Sequence, residues 1–160
     1  MANSREIVKY KQKIGSILIN DPEIVKWIDA KDIESPEDLI NQNVFNFIRY
    51  PYAPEEEVTY ICFEIDVPQV YSKYNHLFKK LVITFYIVCH ERLMPTDDPE
   101  GGTRCDLLAA RIDKLFNGYK GLGKTPLELV SNTADGISVK HRRRIVQFST
   151  EDLDDSKCDE

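Results

Sequence analysis

Lys79–Glu91 reads KKLVITFYIVCHE, and inside it Leu81 to Cys89 runs nine residues without a charge. Val82, Ile83, Thr84, Phe85, Tyr86, Ile87 and Val88 are all β-branched or aromatic, the residue types that suit a pleated backbone. The run is too short to cross a bilayer as a helix. Both of its faces are apolar, which predicts a strand covered on each side rather than one with a wet face. Lys80–His90 is therefore expected to be the central strand of a sheet. Helices or a neighbouring subunit must supply the cover.

Working outward, Ile7, Tyr10, Ile14, Ile17 and Leu18 recur at helical spacing, predicting a first helix over Ser4–Ile19 with Asn3 and Glu6 as a capping box. Asp21-Pro22 and Ser35-Pro36 each pair a capping residue with proline at the first helical position, predicting short helices towards Ala30 and Asn41. Asn43–Glu57, aromatic and proline-rich, reads as an irregular connection. Val58–Val67 alternates as a first strand, and Pro68–Lys79 joins it to the central one. Thr103–Phe116 is an amphipathic helix capped by Thr103 and closed by Asn117-Gly118. Leu127 and Leu129 then alternate as a strand, NTADG (Asn132–Gly136) reads as a hairpin turn, and Ile137–Ser149 is the last strand. The expectation is one α+β domain over residues 1–150, a mostly antiparallel four-stranded sheet with helices packed on it.

The net charge of −6 is unevenly spread: Glu151–Glu160 (EDLDDSKCDE) alone carries −5. Against a nearly neutral body stands one basic run, Lys140–Arg144 (KHRRR). On a strand, Lys140, Arg142 and Arg144 share one face while His141 and Arg143 share the other. Such a run suits nucleic acid or an acidic protein face; solvated charges that protect a sheet edge are the alternative. Glu151, Asp152, Asp154 and Asp155, read as an acidic tail, would screen the basic run or reach that of a neighbouring copy. The polar N-terminus reads as no signal peptide. The four cysteines, in no paired-ligand spacing, read as reduced and buried.

Three motifs are candidates for chemistry. Gly118–Thr125 (GYKGLGKT) matches a phosphate-loop pattern in which Lys124 would contact the terminal phosphate and Thr125 would hold magnesium. A genuine site needs a strand before the loop and a helix after it, whereas here a helix precedes it. Glu64 and Asp66 at one strand end, with His90 and Glu91 at the next, would make a metal site only if they converged. Antiparallel neighbours would put them at opposite ends. Cys89, His90, Cys105 and His76 lack the spacing of a common zinc site.

The order of elements carries a resemblance. An N-terminal helix precedes two apolar strands, the second being LVITFYIVCHE. There follow a helix opening R-x-D-x-L-A-x-x-I (Arg104, Asp106, Leu108, Ala109, Ile112), a strand LELVSN, a turn, and a strand ending RRRIVQFSTEDL. Over Ser4–Leu153 this resembles the tail-terminator, or head-to-tail joining, proteins of long-tailed bacteriophages. The Asp21–Asn41 segment departs from that pattern by its length. The resemblance implies a structural virion protein and no enzyme, cofactor or membrane association. About six copies would form a ring that caps the tail tube protein and docks the head-proximal neck or adaptor protein, with DNA passing the lumen. Another neck component, an adaptor or stopper, is the alternative, followed by a nucleotide-binding enzyme built on Gly118–Thr125.

Overall fold

The computed structural model describes residues 4–70 and 78–153. Helix α1 (Ser4–Asn20) leads directly into α2 (Pro22–Ile28). The break falls at Asp21, whose carboxylate accepts the amides of Glu23 at 3.1 Å and Ile24 at 3.0 Å, an N-cap with proline behind it. The predicted helix after Ser35 is a single 3₁₀ turn, Pro36–Leu39. Strand β1 (Val44–Phe45) follows, then β2 (Thr59–Val70) and β3 (Phe78–His90). Helix α3 (Arg104–Phe116), capped by the Thr103 hydroxyl, β4 (Glu128–Gly136) and β5 (His141–Leu153) complete the domain. The capping role expected of Asn3 lies outside the described residues.

The strand order is β1-β2-β3-β5-β4, so β3 is central. All pairings are antiparallel except β1 with β2. The sheet therefore has five strands and is mixed, against the four expected. The extra strand comes from Asn43–Glu57, where two residues pair through Val44↔Ile61 and Phe45↔Cys62, too few to leave a periodic pattern. The hairpin turn also differs from expectation. NTADG stays in β4, with Gly136 opposite Arg142, and the chain reverses over residues 137–140. There the Ser138 hydroxyl accepts the amides of Lys140 and His141, a serine turn. At its other end β5 runs on to Leu153, which puts Glu151 and Asp152 in the strand.

All three helices cover one face of the sheet. There Ile61, Phe63 and Ile65 of β2, Ile83, Phe85 and Ile87 of β3, and Val146 and Phe148 of β5 pack against Ile14, Leu18, Ile24, Leu108, Ile112 and Phe116. On the other face, among the described residues, a small cluster of Phe45, Tyr60, Cys62 and Val88 forms, with half-buried Tyr86 packed against it. Farther along that face of β3, Thr84 is buried and Val82 half-buried. The strand expected to be covered on both sides is thus fully covered on one.

Candidate functional site

The antiparallel register separates the two ends of the sheet. Glu64 lies opposite Thr84 and Asp66 opposite Val82, whereas His90 lies opposite His141; Glu64 and Asp66 do not converge with His90 and Glu91. Both histidine rings are engaged. His90 Nδ1 accepts the Arg92 amide and its Nε2 bonds Pro54 O at 3.0 Å. His141 Nδ1 meets Ser138 Oγ and its Nε2 meets Glu56 O at 2.7 Å. Neither ring offers a lone pair to a metal.

Cys62, Cys89 and Cys105 are free and buried. Cys105, hydrogen-bonded to Cys89 and buried, has its thiol pKa pushed far up, the setting of an inert thiol rather than a ligand. His76 and Cys158 lie outside the described residues. Among the described residues no group of three or more His, Cys, Asp or Glu could hold a metal ion.

Gly118–Thr125 connects α3 to β4, which reverses the strand–loop–helix order that binds phosphate. The amides at its two ends are bonded to the chain's own carbonyls: Gly118 N to Leu127 O at 2.7 Å, Tyr119 N to Phe116 O at 3.0 Å, and Lys124 N and Thr125 N to Glu151 O at 2.8 and 3.3 Å. Thr125 Oγ1 accepts the Glu151 amide at 2.9 Å, and Leu122 is buried. The segment is a structural clasp on β5. Gly123 is its tightest point. It has φ +78°, and a Cβ there would stand 2.8 Å from Glu151 O. Gly123→Ala is expected to destabilise the domain by about 1–3 kcal/mol, readable as a lowered urea midpoint; an unchanged midpoint would disprove the clasp.

The basic run is folded into the same economy of contacts. Arg142 pairs with Glu91. Arg143 holds Asp135 through two bonds of 2.9 and 2.6 Å and lies 5.4 Å from the Tyr86 ring centroid. Arg144 reaches Asp106 at 2.8 Å and Asn132 at 2.9 Å. The Arg143 hydrogen bond holds the Asp135 carboxyl below its ordinary range. These pairs tie β5 to β4, to α3 and to the turn after β3.

Lys140 precedes the strand. Arg143 and Leu153 are ten residues apart on β5, about 33 Å of extended chain. Asp154 and Asp155 lie outside the described residues. Glu151 and Asp152 are strand residues: Glu151 lies opposite Lys80, and Asp152 is buried, its Oδ2 accepting the Tyr10 hydroxyl at 2.7 Å.

Sequence reasoning missed a buried polar cluster and the exposure of the strand after Gly118–Thr125. Lys79 is 1% exposed and its Nζ lies 3.0 Å from Glu6 Oε2. With the Tyr10–Asp152 bond, this pair locks α1 across β3 and β5. Burial and then Asp152 push the Tyr10 hydroxyl pKa far up. The two lysines opening KKLVITFYIVCHE mark the spot, but nothing in the sequence assigns Glu6 to either. Strand β4 is exposed at every residue except Ser131, which is half-buried. Leu129 and Val130 are among the exposed large apolar side chains. At the opposite edge of the sheet, Lys11, Gly15, Ile19, Ile40, Val44 and Phe63 line a groove of about 250 Å³ between α1 and β1.

A family model described as YomW matches residues 12–145. No curated protein matches. Among solved structures, a chain of the virion of a native gene transfer agent (GTA) particle matches with a TM-score of 0.48 and 14% identity, over 81% of this chain and 90% of that one.

Proposed function

The chain belongs to the YomW family, and we propose that it is a structural virion protein of a tailed phage, a tail terminator. In this reading its copies form a ring of about six that caps the tail tube and joins it to the neck. The observation that carries the reading is β4, a nine-residue strand exposed at eight positions. A strand with neither face covered adds little to an isolated domain and acquires cover when copies assemble. The element order of the resemblance supports the same conclusion, from α1 to the strand ending RRRIVQFSTEDL. Among the described residues no helix is long and apolar enough to cross a membrane.

Light scattering over a concentration series, repeated with tail tubes, tests this. The expected result is a ring-sized mass, either alone or on tubes. A protein that binds only the head-proximal neck proteins and ignores tubes would instead be an adaptor or stopper. One that does neither would refute the structural reading.

Two finer expectations accompany it. Because the Lys124 and Thr125 amides are bonded within the chain, magnesium-ATP should leave thermal unfolding unchanged in the parent and in Lys124→Ala alike. A nucleotide-dependent stabilisation that Lys124→Ala abolishes would turn the assignment towards an enzyme. Contact of Lys140–Arg144 with DNA in the lumen would require opening the pairs with Glu91, Asp135 and Asp106. It would show itself as salt-dependent DNA binding.

A further inference from the structure

The two exposed features lie at opposite edges of one sheet, and we propose that they are the two halves of the contact between copies: β4 of one chain seats on the α1–β1 groove of the next. This rests on the ring assembly proposed above and names its surfaces.

On β4, the register steps from Leu129↔Phe148 to Ser131↔Gln147, so Val130 is the extra residue of a bulge. A bulge interrupts the edge and re-aims a side chain, which disfavours addition of a long partner strand. Among the described residues β4 pairs only with β5. The Leu129 amide on its free side is taken by Asn117 Oδ1 at 3.3 Å. What β4 offers is an apolar knob, Val130, 53% exposed.

The groove is built to receive one. Its volume of about 250 Å³ is below the roughly 300–1,000 Å³ of small-molecule sites, which suits a side chain or two better than a ligand. Ile19, Ile40, Val44 and Phe63 make its walls, and at Gly15 an added Cβ would meet nothing within 4 Å. Charge favours the same partner. The exposed side of α1 carries Arg5 and Lys9, with Lys13 bonded to Gly121 O at 2.9 Å, whereas β4 carries Glu128 and no cation, its Asp135 being held by Arg143. Complementary charge of this kind steers docking and fixes register. A contact between unlike edges is heterologous, repeats from copy to copy, and closes when the rotation permits. A second copy of this chain is therefore the occupant.

The test places one thiol on each half, Ser16→Cys and Val130→Cys, in a Cys158→Ser background, with a short bismaleimide as cross-linker. Mixing the two single variants should give covalent dimers. Val130→Cys alone should give none, and the double variant should give a ladder ending at the ring's copy number. Dimers of Val130→Cys with itself would overturn the proposal in favour of like-edge pairing. So would a ring-sized mass with no Ser16–Val130 product, and in both cases the ring itself would stand. A chain that stays monomeric at every concentration and on tubes removes the ring and this contact together.

A second variant controls for folding. Gly15→Leu fills the groove with a better helix former, so it should unfold at or above the parent temperature. Its assembly concentration should rise by about tenfold or more. Assembly at the parent concentration would refute the groove.

Discussion

Phe85→Ala will destabilise the domain by about 3–5 kcal/mol, the range for emptying a fully buried aromatic site. Phe85 is 0% exposed at the middle of β3. Its ring centroid lies 5.9 Å from Phe63 of β2, 4.8 Å from Phe116 of α3 and 5.9 Å from Phe148 of β5. One side chain thus bridges two neighbouring strands and the helix above them. The rings approach at tilted and edge-on angles, which add to the contribution of buried area. Removing it leaves a void that three other rings, each held by its own backbone, cannot collapse into. Urea unfolding followed by circular dichroism should show the midpoint fall with an unchanged slope. A loss under about 1 kcal/mol would mean the core relaxes around the void. Phe85→Leu, which keeps most of the volume, should cost clearly less.

Asp21→Ala is the second large effect, expected at about 2–4 kcal/mol because it removes a helix cap and half of a largely buried ion pair. Asp21 is 7% exposed. Beyond capping α2, it accepts Arg111 Nε at 3.0 and 3.1 Å and Nη2 at 2.6 Å. Without it Arg111 keeps only Glu23, at 3.7 Å. The Arg111 hydrogen bond, with the capped amides of Ile24 and Glu23, holds the Asp21 carboxyl below its ordinary range. A carboxyl depressed in the folded state stabilises fully above its unfolded value of about 3.9 and loses that contribution as pH falls through the folded value. The stability gap between parent and Asp21→Asn should therefore be constant near neutrality and close below about pH 4. A gap that widens in acid would contradict the pairing.

The sequence discloses most strongly those elements whose stability is local. β3 is legible because Val82 to Val88 are all β-branched or aromatic, and α2 and α3 because Asp21 and Thr103 cap them with side chains a few positions away. What escapes depends on partners far along the chain. β1 is two residues long and exists because Ile61 and Cys62 lie beside it. The turn at residues 137–140 is decided by the Ser138 hydroxyl, while NTADG, a strong turn composition, is held extended by Arg142–Val146 of β5.

The charged run illustrates the same limit at the candidate site. KHRRR is conspicuous, yet its partners Glu91, Asp106 and Asp135 come from three separate segments. Alternation predicts β4 but not its exposure, since the residues that would cover it are in no part of this chain's described fold. The phosphate-loop pattern of Gly118–Thr125 lies between helix α3 and strand β4, the reverse of the order phosphate binding needs.

The strand order also sets a schedule for synthesis. β3 is flanked by β2 and β5, and β5 is the last strand of the domain to be made. While the ribosome adds α3 and β4, the most apolar stretch of the nascent chain has one edge unpaired, and α1 has no Asp152 to hold. Pairing from Lys79↔Asp152 to His90↔His141 joins segments far apart in the chain, and such contacts form slowly. The newborn chain therefore passes through a stage when its stickiest strand is open, the condition that invites aggregation and chaperone capture. Completion of β5 ends that stage by pairing the open edge of β3.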